Sequence, residues 1–411
     1  MARRCSTLCL PFDQTTYPGL VADPAAFRQA LGRLFRAMPE LFPDGFEDGY
    51  RLKESRTSRK LGLRLRRVRL KATGESFTVR PSFALPYMAG LTDDASGPLF
   101  LRAFGVPFWA IARVFGKDHS YWYRVEVALG RNSVAGTTLR RAPVPEHLLA
   151  DEHHQPRDGV KNYVATTVGA GCCLGAALAP TAGTADLQTA YGVFQREARD
   201  VQPDYAPQTV SVDGWASTHQ AWVLLFPLVA LLRCFLHGWL NVRSRGKLSD
   251  GFAALSERVW RAYHAPTRRS FGQRMRRLWE WAKANVSAAW VLEQVKKMCG
   301  RSKEYAEAYA HPGGHRTSNM LDRVMRGMNR YFDSGQHLHG GPEACGLHVR
   351  AWALLSNYRP WHPAVAKANG GWRCPAEGLN RHRYHDDWLQ NLLVSASLGG
   401  YRRRIAPPPT P

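Results

Sequence analysis

The sequence predicts an α/β protein: a mixed sheet with a helical insertion, preceded by a smaller basic region. Three observations predict it. Between residues 146 and 237, short runs rich in β-branched or small residues alternate with helical stretches in the order β-β-β-α-β-α-β. Residues 243–310 then carry only helical periodicity. Residues 51–80 hold eleven Lys or Arg against two Glu and alternate apolar with polar positions about a glycine. The 411 residues allow two or three domains at about 100–200 residues each. The compositional divisions fall at 1–95, 96–145, 146–360 and 361–411.

Lys and Arg number 56 against 33 Asp and Glu, a formal charge of +23. Such an excess points to polyanionic partners, nucleic acid before an anionic membrane surface. The longest apolar run, Ala221 to Leu232, is interrupted by Pro227 and stopped by Arg233. That is short of the roughly 20 residues a bilayer needs, so no membrane association is expected. The N-terminus shows no signal-peptide pattern. The eight cysteines are scattered with no CxxC pair. Neither a zinc ribbon nor a disulfide framework follows, and a reducing cytoplasm suits them.

Taken in order, residues 25–41 have the spacing of an amphipathic helix. The stretch LGLRLRRVRLKATGESFTVRPSFALPY reads as a hairpin with Gly74 in its turn. Arg64, Arg66, Arg67 and Arg69 on it are candidate phosphate contacts. In GPLFLRAFGVPFWAIARVFGKDHSYWYRVEVALGR, residues 97–131, two helical stretches flank FGKDHS, with Gly116 at the turn and Ser120 as N-cap. This is the layout of a helix-turn-helix, with Lys117, Tyr121 and Arg124 placed to meet DNA.

From RRAPVPEHLLADEHHQ onward the pattern changes. A first strand ends at Asp151, residues 159–171 and 172–180 form two more, and 184–201 is a helix. Residues 208–215 form the next strand, THQAWVLLFP a helix, and 229–237 a further buried strand. This order is that of an RNase H-like core. In such a core the first and fourth strands are neighbours, so an acid at the end of each brings Asp151 and Asp213 together. Two like charges at that distance disfavour ionisation unless a divalent cation lies between them. Mg²⁺ favours oxygen ligands, and both residues are candidate Mg²⁺ ligands. The apolar segment behind Asp213 is then expected to be the buried scaffold that holds it. Two-metal phosphoryl transfer asks for a third acid. Asp322 in HRTSNMLDRVMRGMNRYF is the best placed, one turn into a helix that Ser318 or Asn319 caps, with Arg323 and Arg326 beside it. Glu152 is the rival for the first position and Glu343 for the third.

The set ADEHH, VSVDGW, CFLHGWLNV and TSNMLDRVMR resembles the DDE transposases of bacterial insertion sequences, nearest the Mutator-type group. The resemblance covers residues 146 to about 360. It implies Asp151, Asp213 and Asp322 as three catalytic, metal-holding acids. It also implies His237, in the C-x-x-H signature with Cys234, as a residue beside the active site. Two Mg²⁺ (or Mn²⁺) ions, double-stranded DNA ending in terminal inverted repeats, a target duplex and a homodimer or larger assembly would follow. So would a bacterial, nucleoid-associated location. The chain departs from the family at 322, where Glu is usual. A decayed transposase acting as a DNA-binding protein, and a nuclease without strand transfer, are the alternatives.

Residues 243–303 carry fifteen Lys or Arg against four acids, and Arg276 and Arg277 are candidate DNA contacts on a lid. Trp279, Trp281 and Trp290 have core-like spacing. His337 and His339 in QHLHG read as incidental loop histidines. Residues 347–365 form a helix that stops before Pro360, and YRRRIAPPPTP reads as a disordered tail.

Overall fold

The computed structural model describes residues 5–247 and 250–401, apart from the Arg245 side chain. The first four residues and the tail after Tyr401 lie outside them. Helices and two mixed five-stranded sheets make an α/β protein. The first sheet contains β1 (Thr7–Leu10), β2 (Tyr50–Leu52), β3 (Arg56–Ser58), β4 (Leu63–Leu70) and β5 (Ser76–Pro81). Its order is β1-β5-β4-β2, with β3 against β4. The β4–β5 hairpin is the expected one, and Gly74 has φ +71°, a conformation glycine adopts without steric cost. The helix Pro24–Ala37 covers the sheet, packing Phe27 and Leu31 against Val68 and Val79. β1, which runs parallel to β5, is an addition that periodicity did not mark.

The second sheet contains β6 (His147–Arg157), β7 (Val160–Gly169), β8 (Cys172–Ala179), β9 (Thr209–Val212) and β10 (Ala230–Arg233). The order is β10-β9-β6-β7-β8. β6, β7 and β8 are antiparallel, β9 is parallel to β6, and β10 is parallel to β9. Asp158 and Gly159, at φ +49° and +76°, make the two-residue turn that a twisted hairpin favours. Side chains alternate across β6. Leu148 and Ala150 pack with Tyr191 and Trp222, on the helices Thr184–Val201 and Ala216–Leu225. Leu149 packs on the other face with Leu321, Met325 and Val349, on the helices Asn319–Asp333 and Pro342–Tyr358.

Three sequence expectations change here. The apolar segment after Asp213 is only half interior: Ala221 and Trp222 are buried, while Leu224 is 58% and Leu228 95% exposed. A helix on a sheet has only one face to bury. The strand expected over 229–237 ends at Arg233, and Cys234 is the N-cap of a helix, Phe235–Gly246. The helices Phe252–Tyr263, Arg268–Asn285 and Ala289–Gly300 form the expected insertion around Val259, Met275 and Val295. Trp290, however, is 60% exposed and is not a core residue.

The expected helical pair is present as Phe108–Phe115 and His119–Leu129, but Asp118 is the N-cap in place of Ser120, accepting from the Ser120 N–H at 2.8 Å. The inner face of the second helix ends in a buried charge. Glu126 meets Arg102 at 3.2 Å and His348 Nε2 at 2.8 Å, and the Tyr331 hydroxyl donates to it. The Arg102 guanidinium lies 3.8 Å from the Tyr331 ring centroid. Four helices are tied at this point, including the one that carries Asp322.

Burial opposes ionisation of Glu126, but Arg102 and His348 overcome it and hold the carboxyl below its ordinary value of 4.5. Glu126→Gln should leave Arg102 buried without its counter-charge and cost about 3–5 kcal/mol in urea unfolding at pH 7. The folded carboxyl is depressed, so its stabilisation is complete above pH 4.5 and is lost as pH falls through the lower folded value. The gap between wild type and variant should therefore persist at neutral pH and close in acid.

Candidate active site

β6 keeps β9 as a neighbour only through the pair Leu149↔Ser211. The same offset, carried two residues on, brings Asp151 level with Asp213. Asp151 is thus not at the end of its strand, as the sequence suggested. It lies where the strand loses its partner while continuing with β7 to Arg157. Asp213 follows the last residue of β9.

The loop bearing Asp213 is fixed from several sides. One Asp213 carboxylate oxygen accepts the Trp215 N–H at 2.9 Å. Arg233, at the end of β10, donates to the carbonyls of Asp213 at 3.2 Å and Gly214 at 3.4 Å and pairs with Glu304. Gly214 has φ +99°, and a Cβ there would stand 2.2 Å from the Arg233 guanidinium. Conformation and close approach both demand glycine at this position. Arg233 is a positioning residue that the sequence analysis missed. Its one signal was a charged residue closing an otherwise apolar strand.

Alternation along β6 separates the two candidate first acids. Asp151 shares the Leu149 face with the helix of Asp322. Glu152 turns to the opposite face, where the Tyr191 and Thr218 hydroxyls each donate to Oε1 at 2.8 Å. Its Oε2 is buried without a hydrogen-bond partner, and burial pushes the carboxyl up to about 7. Glu343 stands exposed in the first turn of Pro342–Tyr358.

Asp151 is pushed up to about 6, first by burial and then by the charge of Asp213, with a further contribution from Asp322. His237 and the Glu152 N–H, which donates at 2.9 Å, oppose the shift. The Asp322 carboxylate accepts from Ser318 at 3.1 Å. His237 is in the first turn of the helix after Cys234, not on a strand, because β10 ends at Arg233, four residues before the apolar pattern implies. Cys234, and then Asp151 and Asp213, hold His237 protonated up to about 9. The Cys234 thiol is buried, which would raise it, yet His237 brings it below its ordinary value. The buried His237 Nδ1 has no hydrogen-bond partner among the described residues.

Two carboxylates from distant parts of the sequence, Asp213 and Asp322, therefore act on Asp151. The three are an all-oxygen donor set, of the class Mg²⁺ and Mn²⁺ take. A bound dication would reverse the field that pushes Asp151 upward. Among the described residues, no three His, Cys, Asp or Glu side chains close on a single point as a one-ion site requires. A two-ion site spreads its ligands over two centres about 3.5–4 Å apart. The donor chemistry fits.

Of the candidate DNA contacts, Arg64, Arg69, Lys117, Arg124, Arg276, Arg277, Arg323 and Arg326 are exposed, and Arg67 is half-buried. Tyr121 is half-buried and donates to the Ala89 carbonyl at 2.8 Å. Arg66 is a correction. It is 7% exposed, and its guanidinium donates to the carbonyls of Val21 at 2.7 Å and Ala22 at 3.1 Å. It closes the end of the helix Tyr17–Ala22 and is not free for phosphate. His337 Nδ1 lies 2.9 Å from Gln155 Nε2 and His339 Nδ1 3.7 Å from Asp158. No described helix is long and apolar enough to cross a membrane.

No protein-family model matches the chain, and no curated protein matches it in sequence.

Asp213→Asn keeps the acceptor for Trp215 and removes one charge beside Asp151. In EDTA it should raise stability by about 1 kcal/mol, read as a higher midpoint of thermal unfolding.

Proposed function

We propose that the protein is a transposase of the DDE type with an RNase H-like catalytic region, acting on double-stranded DNA. The observation that carries the reading is the grouping of Asp213 and Asp322 about the half-buried Asp151. The sheet order supports it. Numbered from β6, it reads 3-2-1-4-5, with the first three strands antiparallel and the last two parallel to the first. The exposed arginines that flank Asp322 suit a phosphate backbone. The basic hairpin and the Phe108–Leu129 helical pair are the natural modules for gripping terminal inverted repeats. Two protomers would be needed to hold two ends.

Asp151, Asp213 and Asp322 would hold two Mg²⁺ or Mn²⁺ ions, whose chemistry is charge stabilisation at the attacking and leaving oxygens of an in-line displacement. The chain's own residues do the rest. Arg233 and Gly214 fix the backbone behind Asp213. Protonated His237 places positive charge beside the acids, where it can meet a phosphate. Water is the first nucleophile and the freed 3′-hydroxyl the second, so positioning replaces any covalent enzyme intermediate.

One observation favours a second reading. Asp322 is one methylene shorter than the Glu usual in the family it resembles, and one of its oxygens is engaged by Ser318. That would suit a decayed transposase retained as a DNA-binding protein.

The test is incubation with oligonucleotides carrying the inverted repeats that flank the coding sequence, in Mg²⁺ or Mn²⁺. Wild type should nick the strand at the repeat end and join the 3′-hydroxyl to a target duplex. Asp213→Ala should lose several kcal/mol of transition-state stabilisation, about 10³-fold in rate, and still bind. Binding without nicking in wild type would select the second reading, and nicking without joined products a nuclease.

A further inference from the structure

The helix that carries Asp322 also forms one wall of a cleft of about 650 Å³. Arg323, one residue beyond Asp322 and so about 100° around the helix, faces into it. Arg359 and Arg381 line it too, with Trp361, Trp372 and Asn369, and no acidic residue does. The Nε of Arg323 reaches its own helix at the Asn319 carbonyl, 3.2 Å away, and Arg359 donates to the Ala103 carbonyl at 2.7 Å. The exposed Arg381 guanidinium has no hydrogen-bond or carboxylate partner among the described residues. The Arg359 guanidinium also lies 4.7 Å from the Phe104 ring centroid, and no carboxylate in the lining neutralises the positive charge of this cleft.

The two tryptophans are half-buried, and neither ring has an aromatic or cationic partner among the described residues. Gly378 adjoins the edge of the Trp361 ring. A Cβ at Gly378 would be 3.9 Å from the edge of that ring. Cation without counter-anion, and indole without stacking partner, are the two halves of a nucleotide: guanidinium takes phosphate and indole takes the face of a base. The indoles are recessed, and the face of a base is hidden in a duplex, so only a nucleotide out of the stack can reach them.

We propose that this cleft holds one unpaired nucleotide of the DNA strand processed at the neighbouring carboxylates, its base against Trp361 or Trp372 and its phosphate on Arg359 and Arg381. The proposal rests on the DNA-processing reading above and adds to it a site that accepts distorted or opened DNA next to the reactive bond.

The test uses the full chain and two fluorescein-labelled probes of one sequence, a fully paired duplex and the same duplex with a short single-stranded gap. Wild type should prefer the gapped probe. Trp372→Ala and Trp361→Ala should weaken the gapped probe about 5- to 100-fold and leave the paired probe unchanged, while Trp372→Phe restores most of the preference. Arg381→Ala, at an exposed position where folding is not at stake, should weaken the gapped probe selectively as well. Equal affinity of wild type and Arg381→Ala for the gapped probe, together with equal affinity of wild type and both tryptophan variants, overturns the proposal while the DNA reading stands. Failure of wild type to bind either probe overturns both. A free deoxynucleoside monophosphate that binds as tightly as the gapped probe overturns the assignment to a strand.

Discussion

The centre of this molecule is organised around an unfavourable electrostatic interaction. The Asp151 carboxyl is withdrawn from water and faces two other carboxylates, and its proton affinity rises accordingly. Crowding of this kind relaxes unless the surrounding structure over-determines each participant. The loss of the β9 partner after Leu149 leaves one acid at a strand interior beside the loop of Asp213, Arg233 clamps that loop, and a helix carries the third acid. Each acid comes from a different element. No local rearrangement separates them.

That requirement explains the distribution of charge through the core. The helix Asn319–Asp333 has to be held at both ends. Its first turn meets β6 through Leu321, and Tyr331 in its last turn reaches Glu126. The buried Arg102–Glu126–His348 group is an expensive way to join helices, but it fixes their relative position more sharply than apolar contact alone. The opposite face of the sheet is packed by ordinary aromatic contact, Tyr191 and Phe194 against Trp222. The difference between the faces is the difference between a surface that only has to be filled and one that has to be aimed.

The succession of strands and helices along the chain in the second sheet region was legible because the strands are bounded by glycine, proline or an abrupt change of period, but the order of strands across the sheet was not. The neighbouring placement of Asp151 and Asp213 was legible because a carboxylate interrupts an apolar strand run in both places. The turn at Asp158–Gly159, which lets β6 run past Asp151, carried a recognisable dipeptide that went unused. Arg66 was misread because alternation does not say which face is inside: it shares its face with Val68 and Leu70 and is buried with them. The helix Trp388–Ser395 follows the loop-rich stretch before it as the sequence suggests, but β1 was not legible at all. Its apolar residues are covered by parts of the chain hundreds of positions away, and no window of periodicity contains that information. The same limit hid Arg233, whose role depends on the approach of Gly214 from a neighbouring strand.

The packing of β1 against residues 394–398 has a consequence for biosynthesis. The Cys9 N–H donates to the Ser397 hydroxyl at 3.1 Å, that hydroxyl donates to the Leu41 carbonyl, and Val394 and Leu398 sit in the core of the first sheet. A ribosome releases residue 397 long after residue 9. The first sheet must therefore wait, with part of its apolar face open, until the 388 positions that separate these two partners have been made.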